Sequence, residues 1–364
     1  MTLVRIQFSS YGFRFIEGYR STLPAVGPAQ VITCQEKLTM PRLTHRQMEQ
    51  FEREGYLLVK KVLDVEHIIN PIIREYHEVL NRLANELYEA KEIRELYEEL
   101  SFGDRITRIY AETGKIHAQY FDFSLPQAGS IEPDTPFWAG PAVFRAITDP
   151  DLLDYVECFI GPEIYSNPVQ HVRIKPPERL VPRTEDGQPM LGATSWHQDN
   201  GVVRPESDKT NMLTVWFPLT SAREEHGCLQ VVPGSHLDGL TTHCPGGTGG
   251  LRIPDQIFDK SSCIPIPMEA GDVLFFHKLI VHGSLSNKSN EVRWSFDLRY
   301  NPIGQETGRG AFPGFVARSR THPEGVLRNP AEWEQSWRNA RDRLAVDPDP
   351  GPFNRWNLNH PACA

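Results

Sequence analysis

The stretch from about residue 165 to 302 consists of short apolar runs separated by loops rich in glycine and proline. Runs of this length with turn residues between them are typical of β-strands. A series of such strands favours a barrel or a double-sheet jelly roll. Helical patterns precede this region, so the predicted fold is mainly β with flanking helices, an α+β arrangement. The predicted strands are 168–175, 195–199, 212–219, 228–232, 272–277 and 292–300.

Two long loops interrupt the predicted strands, at 176–194 and 241–260. Long connections in a compact domain are commonly functional, and we predict that both form mobile rims of a pocket. The second loop contains Gly246-Gly247-Thr248-Gly249-Gly250. It lacks the Gly-Lys-Ser/Thr ending of a phosphate-binding loop, so no nucleotide site is predicted there.

The part of the chain before residue 165 predicts helices. Thr44 is a good N-cap, and Gln47 stands at the third helical position, as a capping box requires. Residues 55–59 predict a strand, and apolar residues recur at helical spacing across residues 72–100. We interpret the charged face of that helix as a solvated surface.

The two ends of the chain are predicted to lie outside the main domain. Residues 1–39 look poorly organised and form an N-terminal extension, and we hypothesise that Met40 is the natural start. Residues 306–364 form a C-terminal extension that packs on the core and contains one helix, at 330–344. The main domain is 40–305, with a helical part at about 44–160 and a β core at about 165–302.

Composition and charge exclude several classes of protein. A hydrophobic content of 39% and a charged content of 23% are ordinary for a globular protein. A net charge of -9 argues against nucleic acid as a partner. No apolar run approaches the roughly 20 residues that span a bilayer, so no membrane partner is predicted. Neither end shows a signal-peptide core, a prenylation signal or a peroxisomal signal, which predicts a cytoplasmic protein.

The six cysteines are scattered, with no Cys-x-x-Cys pair among them. In a chain of this length that pattern predicts reduced thiols in a cytosolic protein. It does not predict a structural zinc site. The cysteines are Cys34, Cys158, Cys228, Cys244, Cys263 and Cys363.

A candidate metal site begins at His197-Gln198-Asp199. On a strand, residues i and i+2 point to the same side, so His197 and Asp199 can aim an imidazole and a carboxylate at one point. A third ligand from another strand would complete a face of two histidines and one carboxylate. That face leaves three positions of an octahedral Fe(II) open, enough for a bidentate cosubstrate and O2.

His277 and His282 compete for the third position. His277 ends an apolar strand at a turn, whereas His282 is followed by Gly283 and Ser284, whose small side chains leave room for a metal and a bound diacid. Arg293 lies 11 residues beyond His282, at the start of the next predicted strand. Its planar guanidinium suits bidentate binding of a carboxylate. The alternative for Arg293 is a surface salt bridge.

Several motifs together resemble the phytanoyl-CoA dioxygenase family, whose members are Fe(II)- and 2-oxoglutarate-dependent oxygenases on a double-stranded β-helix, a cupin-like jelly roll. The resemblance covers roughly residues 40–305 and is weakest between 84 and 165. The motifs that carry it are Phe51 with Gly55-Tyr56, Trp196-His197-Gln198-Asp199, Val215-Trp216-Phe217-Pro218-Leu219, the run from Gly227 to His236, His282-Gly283-Ser284, Arg293 and Arg299-Tyr300.

The resemblance implies a role for each matching position. His197, Asp199 and His282 would bind the iron, and Arg293 would hold the distal carboxylate of 2-oxoglutarate. Ser284 and Ser295 would assist by hydrogen bonding, and Trp216 and Thr214 would line the cosubstrate side. Lys175 would serve either the cosubstrate or the substrate. His236 belongs to a structural turn rather than to the metal site.

The resemblance implies Fe(II), 2-oxoglutarate and O2 as cofactors, with ascorbate as an aid in vitro. The expected reaction is hydroxylation of an unactivated C–H bond, with release of succinate and CO2. Asp199 fills the position that halogenating relatives leave open, which disfavours halogenation. The alternatives are desaturation, epimerisation or ring formation at the same metal site, or a non-catalytic cupin-like binding or sensor protein.

The expected partner is a small or medium-sized organic molecule whose identity the residues do not give, and no oligomeric state is predicted. Pocket-facing cations and aromatic residues would suit a partly apolar substrate that is anionic or forms hydrogen bonds. The alternative is that these cations are solvated loop residues. The residues expected in the substrate pocket are Gln170, His171, Asn200, Lys115, His117, Arg252 and Arg318.

Overall fold

The computed structural model describes residues 42–126, 131–247, 250–348 and 353–363. The predicted N-terminal extension and the hypothesised start at Met40 lie outside these residues. Helix α1 (His45–Glu54) begins with the predicted capping box, in which Thr44 and Gln47 each accept a hydrogen bond from the other's backbone N–H. It ends at Gly55, whose φ of 78° favours glycine.

The predicted helix over 72–100 is too long. Helix α2 ends at Glu89, and an irregular segment follows in which Lys91 and Tyr97 have positive φ. Ile93 and Tyr97 are nevertheless buried, which explains why apolar residues still recur in this segment although it is not helical. The chain becomes helical again at α3, which Ser101 caps. The helices up to the first long strand are α2 (Asn70–Glu89), preceded by a π-helical turn (Val65–Ile69), α3 (Phe102–Thr113), α4 (Ala118–Phe121), α5 (Pro141–Ile147) and α6 (Pro150–Ile160).

Two antiparallel sheets form the jelly-roll core, a double-stranded β-helix. The major sheet has the order β1-β8-β3-β10-β2-β11, and the minor sheet has the order β7-β4-β9. Their facing side chains pack together in one apolar cluster, which joins Trp216 and Phe276 of the major sheet to Val231 of the minor sheet. The strands are β1 (Tyr56–Val59), β2 (Ile164–Lys175), β3 (Leu213–Pro218), β4 (Leu229–Val231), β5 (Cys244–Pro245), β6 (Leu251–Arg252), β7 (Ile264–Ile266), β8 (Val273–His277), β9 (His282–Ser284), β10 (Arg293–Pro302) and β11 (Phe315–Arg318).

One predicted strand, 195–199, does not form. The segment makes a single antiparallel bridge, between His197 and His282, and then turns into a 3-10 helix at Asp199–Val202. Within the loop at 241–260, β5 and β6 pair in antiparallel register.

Helices cover the outer face of the major sheet. Trp294 of β10 stacks on Phe102 of α3 at 4.4 Å between ring centroids and meets Tyr76 of α2 edge-on at 5.1 Å. The Tyr300 hydroxyl donates a hydrogen bond to the carbonyl oxygen of Ile147. Aromatic contacts of this kind add to the free energy of burial. Within the described residues, no helix is both long and apolar enough to cross a membrane.

The C-terminal residues join the same structure. Strand β11 pairs with β2 at the edge of the major sheet. Helix α7 (Pro330–Val346) spans the predicted 330–344, and its Trp333 and Trp337 are buried against Phe144 and Phe312. The predicted domain boundaries at 40 and 305 stay predictions.

The expectation that all cysteines are reduced thiols is wrong for one pair. Cys244 of β5 and Cys363 form a disulfide across 119 residues of sequence, with their Cα atoms 5.2 Å apart. Their spacing gave no sign of it, because the fold alone brings them together. Cys158, Cys228 and Cys263 are free, and Cys34 lies outside the described residues.

Removing the disulfide is expected to lower the free energy of unfolding. Cys363→Ser opens a cross-link between residues 119 apart, and such cross-links contribute about 2–4 kcal/mol. We expect a loss in that range on guanidinium denaturation of the oxidised protein. Cys158→Ser is the control, because that thiol is free. Free thiols at Cys244 and Cys363 in the unreduced protein, found by alkylation and mass spectrometry, would contradict the pairing.

Candidate metal centre

His197, Asp199 and His282 meet at one point. Mutual backbone hydrogen bonds of 2.9 Å join His197 to His282, the first residue of β9. Gln198 is extended, so Asp199 falls on the same side of the chain as His197. The Oδ1 atom of Asp199 lies 3.9 Å from Nε2 of His197 and 3.8 Å from Nε2 of His282. The three ligand atoms, all within 4.8 Å of one another, could hold a metal ion.

Backbone carbonyl groups orient both imidazole rings. Nδ1 of His197 lies 2.8 Å from the carbonyl oxygen of Ser195, and Nδ1 of His282 lies 3.1 Å from that of Ile280. Each contact assigns the proton to Nδ1 and leaves the Nε2 lone pair for a metal. Burial lowers the pKa of His197 to about 3 and also lowers that of His282. Both rings are therefore neutral near pH 7, as metal binding requires.

Asp199 is held by a hydroxyl group and a buried guanidinium group. Thr214 donates a hydrogen bond to Oδ2, and Arg299 donates from Nη2 to Oδ1 at 2.6 Å and from Nε to Oδ2 at 3.3 Å. Burial alone would raise the pKa of Asp199, but Arg299 and the two histidines outweigh it and lower that pKa. Asp199 therefore remains an ionised ligand. No role for Arg299 was predicted, because nothing in its local sequence pattern indicates this contact.

Gln198 anchors the ligand segment from the opposite side. Its side-chain amide donates to the carbonyl oxygens of Gly239 and Leu279, and its Oε1 accepts from the backbone N–H of Thr241. The backbone N–H of Gln198 donates to Nε2 of His243 at 3.0 Å. His243 is a further residue that sequence reasoning missed, since it stands in a loop without a motif. These contacts fix the backbone between the two ligands.

The structure decides between the two candidates for the third ligand. His277 lies away from the metal site, with its ring 5.2 Å from that of His236. His236 packs against Gly55 and reaches the carbonyl oxygen of Glu52, which fits its interpretation as part of a structural turn. His282 alone of the two candidates joins His197 and Asp199.

Arg293 and Lys175 form a buried cationic site beside this group. They face each other across β10 and β2. Arg293 is 1% exposed, which excludes the surface salt bridge. Its Nη1 donates to Ser295 at 2.6 Å, its guanidinium lies 5.6 Å from the ring centroid of Trp216, and its buried Nε has no partner among the described residues. Burial lowers the pKa of Arg293 to about 10.

Lys175 lies on the same side as Arg293. Its ammonium group donates to Ser284 at 3.0 Å, to Thr194 at 2.7 Å and to the carbonyl oxygen of Gly192 at 2.8 Å. Burial and the nearby Arg293 lower the pKa of Lys175 well below its usual value. No ion pair of Arg293 or Lys175 with a carboxylate occurs within the described residues. Two adjacent buried cations without a counter-ion fit an anionic cosubstrate such as 2-oxoglutarate.

A cavity of about 310 Å³ opens beside the metal site, and His197 lies in its wall. Both long loops contribute to the wall, through Leu191 and Thr194 of the first and Leu251 of the second. Of the seven residues expected in the substrate pocket, His171 lines this cavity and the other six do not.

The other six residues make contacts elsewhere in the fold. Gln170, which alternates with His171 along β2, donates to the carbonyl oxygen of Phe123, and Asn200 donates to Asp208. Arg252 follows Leu251 on β6 and is exposed, because neighbouring residues of a strand face opposite sides.

The remaining three lie on or near the helical layer. Lys115 pairs with Glu92 at 2.7 Å, and the ring of His117 packs 5.9 Å from that of Tyr110. Arg318 pairs with Asp154 at 2.8 Å. Ion pairs hold both Lys115 and Arg318 outside the cavity wall, and a pocket role for them stays a prediction.

Replacing Arg299 tests its pairing with Asp199. In metal-free protein, Arg299→Met leaves a buried carboxylate without its cation, and we expect a loss of about 3–5 kcal/mol in the free energy of unfolding. A divalent metal supplies a counter-charge, so adding Mn²⁺ should raise the melting temperature of the variant more than that of the parent. Equal shifts in both proteins would show that Arg299 does not neutralise Asp199.

A sequence profile of the family "Phytanoyl-CoA dioxygenase (PhyH)" matches residues 51–295. The peroxisomal phytanoyl-CoA dioxygenase of Bos taurus is 27% identical over 264 residues, which are 71% of this chain and 68% of that protein. The 1-deoxypentalenic acid 11-beta-hydroxylase of Streptomyces arenae is 28% identical over 159 residues, 41% of this chain and 55% of that protein.

Among solved structures, the non-heme monooxygenase ThoJ is similar with a TM-score of 0.49 and 17% identity, covering 82% of this chain and 96% of that one. The family profile spans more than half of the chain and includes His197, Asp199, His282 and Arg293. The chain therefore belongs to the phytanoyl-CoA dioxygenase family of iron- and 2-oxoglutarate-dependent dioxygenases.

Proposed function

We propose that this dioxygenase hydroxylates an unactivated C–H bond of a small or medium-sized organic molecule, with release of succinate and CO2. One observation carries the proposal: the group of His197, Asp199 and His282 lies next to the buried, uncompensated pair Arg293 and Lys175. A metal site and an anion site side by side are what an iron enzyme with a dicarboxylate cosubstrate needs. The hydroxylase of Streptomyces arenae, a relative by sequence, carries this type of reaction in its name.

The residues of the chain have separable tasks in this proposal. The two Nε2 atoms and Oδ1 of Asp199 would hold Fe(II), and Arg293 with Lys175 would bind the distal carboxylate of 2-oxoglutarate. When bound, the iron and 2-oxoglutarate would supply the chemistry by which O2 oxidises the C–H bond. Leu191 and Leu251 of the rim loops would help to exclude water from the cavity. No side chain has to act as a general base.

We further propose that the partner of this protein is a small-molecule substrate, rather than nucleic acid or a membrane, and that the protein works in the cytoplasm. The compartment can be tested through the disulfide, because a reducing cytosol keeps such thiols reduced. Alkylation of thiols in freshly lysed cells would report whether Cys244 and Cys363 are paired in the protein's own environment.

Binding of iron and cosubstrate has a direct optical test. Metal-free protein is titrated with Fe(II) and then with 2-oxoglutarate, without oxygen, and we expect a visible metal-to-ligand charge-transfer band. Asp199→Ala should lose both the band and hydroxylation, because a ligand is missing. Thr214→Val is a milder comparison, since it removes only the hydroxyl that contacts Asp199. A variant Asp199→Ala that still hydroxylates would disprove the ligand assignment.

The role of Arg293 predicts a selective defect. Arg293→Ala should weaken 2-oxoglutarate binding by about 2–5 kcal/mol, the scale for breaking a buried charge pair, and leave Fe(II) affinity nearly unchanged. Arg293→Lys keeps the charge but loses the planar guanidinium group, so its affinity for 2-oxoglutarate should lie between those of the parent and of Arg293→Ala. Calorimetric titration of each variant with Fe(II) and with 2-oxoglutarate distinguishes a role in cosubstrate binding from a purely structural role. Equal loss of iron and 2-oxoglutarate binding would mean that Arg293 only supports the fold.

A further inference from the structure

The cavity beside the metal site has more positive than negative groups in its wall. Two carboxylates line it, those of Asp122 and Asp297. Four cationic side chains line it as well, which leaves an excess of two positive charges by formal charge. The two histidines of the wall add none near neutral pH, since burial lowers the pKa of both His171 and His197. The four cations are Arg173, Lys175, Arg299 and Arg309.

Two of the four cations, Lys175 and Arg299, belong to the cosubstrate and metal sites described above. Lys175 faces Arg293 across the strands on the cosubstrate side. Arg299 is shared between Asp199 and Asp297, with its Nη1 3.0 Å from Oδ1 of Asp297. The other carboxylate of the wall, Asp122, is engaged by Nδ1 of His171 at 2.8 Å and by the backbone N–H of Val172 at 3.1 Å.

Arg309 is the third cation and is buried without a carboxylate partner in the described part of the chain. It is 5% exposed, and its Nε and Nη2 both donate to one carbonyl oxygen, that of Val202, at 3.3 and 3.1 Å. Its guanidinium lies 4.8 Å from the ring centroid of Phe353, which holds it in place. Burial, with Arg299 and Arg173 nearby, lowers the pKa of Arg309 to about 9. The guanidinium therefore stays charged near pH 7 and keeps donor capacity toward the cavity.

Arg173 is the fourth cation. It stands on β2 opposite Ser295, two residues from Lys175 and two from His171, and its side chain is exposed to the cavity. No hydrogen bond or ion pair of its side chain occurs among the residues that the structure describes. Two cations that face one cavity without counter-ions repel each other, and a bound anion relieves that cost.

We propose that Arg173 and Arg309 bind a terminal oxyanion of the substrate, a carboxylate or a phosphate ester, inside this cavity. The inference rests on the proposed hydroxylase function and names its substrate class. Guanidinium groups suit both oxyanions, because their planar donors match two oxygen atoms at once. Anchoring the charged end fixes the distance at which the rest of the molecule reaches His197 and the metal site.

The rest of the wall is suited to a hydrocarbon skeleton. Its apolar members come from β2, from both rim loops, from the segment after α4 and from the 3-10 helix that begins at Asp199. A substrate with an apolar body and one charged end fits this division of the wall. The apolar members of the wall include Leu125, Pro126, Val169, Leu191, Val202 and Leu251.

The test uses protein loaded with Fe(II) and saturating 2-oxoglutarate without oxygen, so that the site at Arg293 is filled. Hexanoate, hexyl phosphate and the neutral hexanamide are titrated by calorimetry at low salt. We expect at least one oxyanion to bind about 10- to 100-fold more tightly than hexanamide, the scale of charge-assisted hydrogen bonds. The tighter of the two oxyanions tells whether the substrate carries a carboxylate or a phosphate ester.

Variants locate the binding. Arg173→Gln and Arg309→Gln should each weaken oxyanion binding about 10-fold or more and leave hexanamide binding unchanged. Arg252→Gln is the matched control, because Arg252 is an exposed arginine outside the cavity wall. Arg309→Gln can fail to fold because Arg309 is buried, so circular dichroism accompanies it. The exposed Arg173→Gln decides the question in either case.

Two results would overturn the inference. One is equal affinity of loaded parent protein for both oxyanions and hexanamide, and the other is unchanged oxyanion affinity in Arg173→Gln. The charge-transfer band of the same samples reports the proposed function separately. A band without oxyanion preference rejects only the substrate class. Oxyanion preference without a band rejects the iron and 2-oxoglutarate reaction and leaves the anion site in place.

Discussion

The pairing of β10 with β2 on one side and β3 on the other sets the positions of most side chains at the site. Because side chains alternate along a strand, one face of β10 carries Arg293, Ser295, Asp297 and Arg299, and the other carries apolar residues that pack under the helices. The register places Arg293 opposite Lys175 and Arg299 opposite Thr214. A slip of one residue would send all of these groups into the helical layer.

Charge balance explains why so many polar groups can be buried in one place. Asp199 is fully buried, and the ion pair with Arg299 compensates it before any metal arrives. Arg293, Lys175 and Arg309 are buried and have no carboxylate partner among the described residues, whereas Arg173 is exposed. An uncompensated buried cation costs free energy of folding, so these three residues mark where the protein gives up stability to bind anions.

The sequence predicted the parts of the site that depend on local spacing. His197 and Asp199 are two residues apart, and Gln198 between them is extended, so their common direction could be read without a structure even though the predicted strand is absent. The jelly-roll class of the core was equally accessible from the apolar runs and turn residues. Ser284 and Arg293 could be placed because both follow His282 closely in the sequence.

What the sequence did not show depends on contacts between distant segments. Arg309 reaches the cavity from a turn after β10, and His243 reaches Gln198 from a rim loop. Neither residue belongs to a pattern of apolar residues with the two-residue period of a strand or the 3.6-residue period of an α-helix. Lys115 and Arg318 looked suitable for a pocket by charge alone, but Glu92 of the segment after α2 and Asp154 of α6 pair with them. The sequence shows which side chains are charged, but only the fold determines which ion-pair partner each of them contacts.

The last described residues lie close to the residues that support the metal site. The backbone N–H of Arg355 donates to the carbonyl oxygen of Gly201, and that of Asn357 donates to His243. Phe353 lies against Arg309, and Cys363 is bonded to Cys244, the neighbour of His243. A purification tag or fusion partner attached at the C-terminus would therefore begin beside the segment that positions His197 and Asp199.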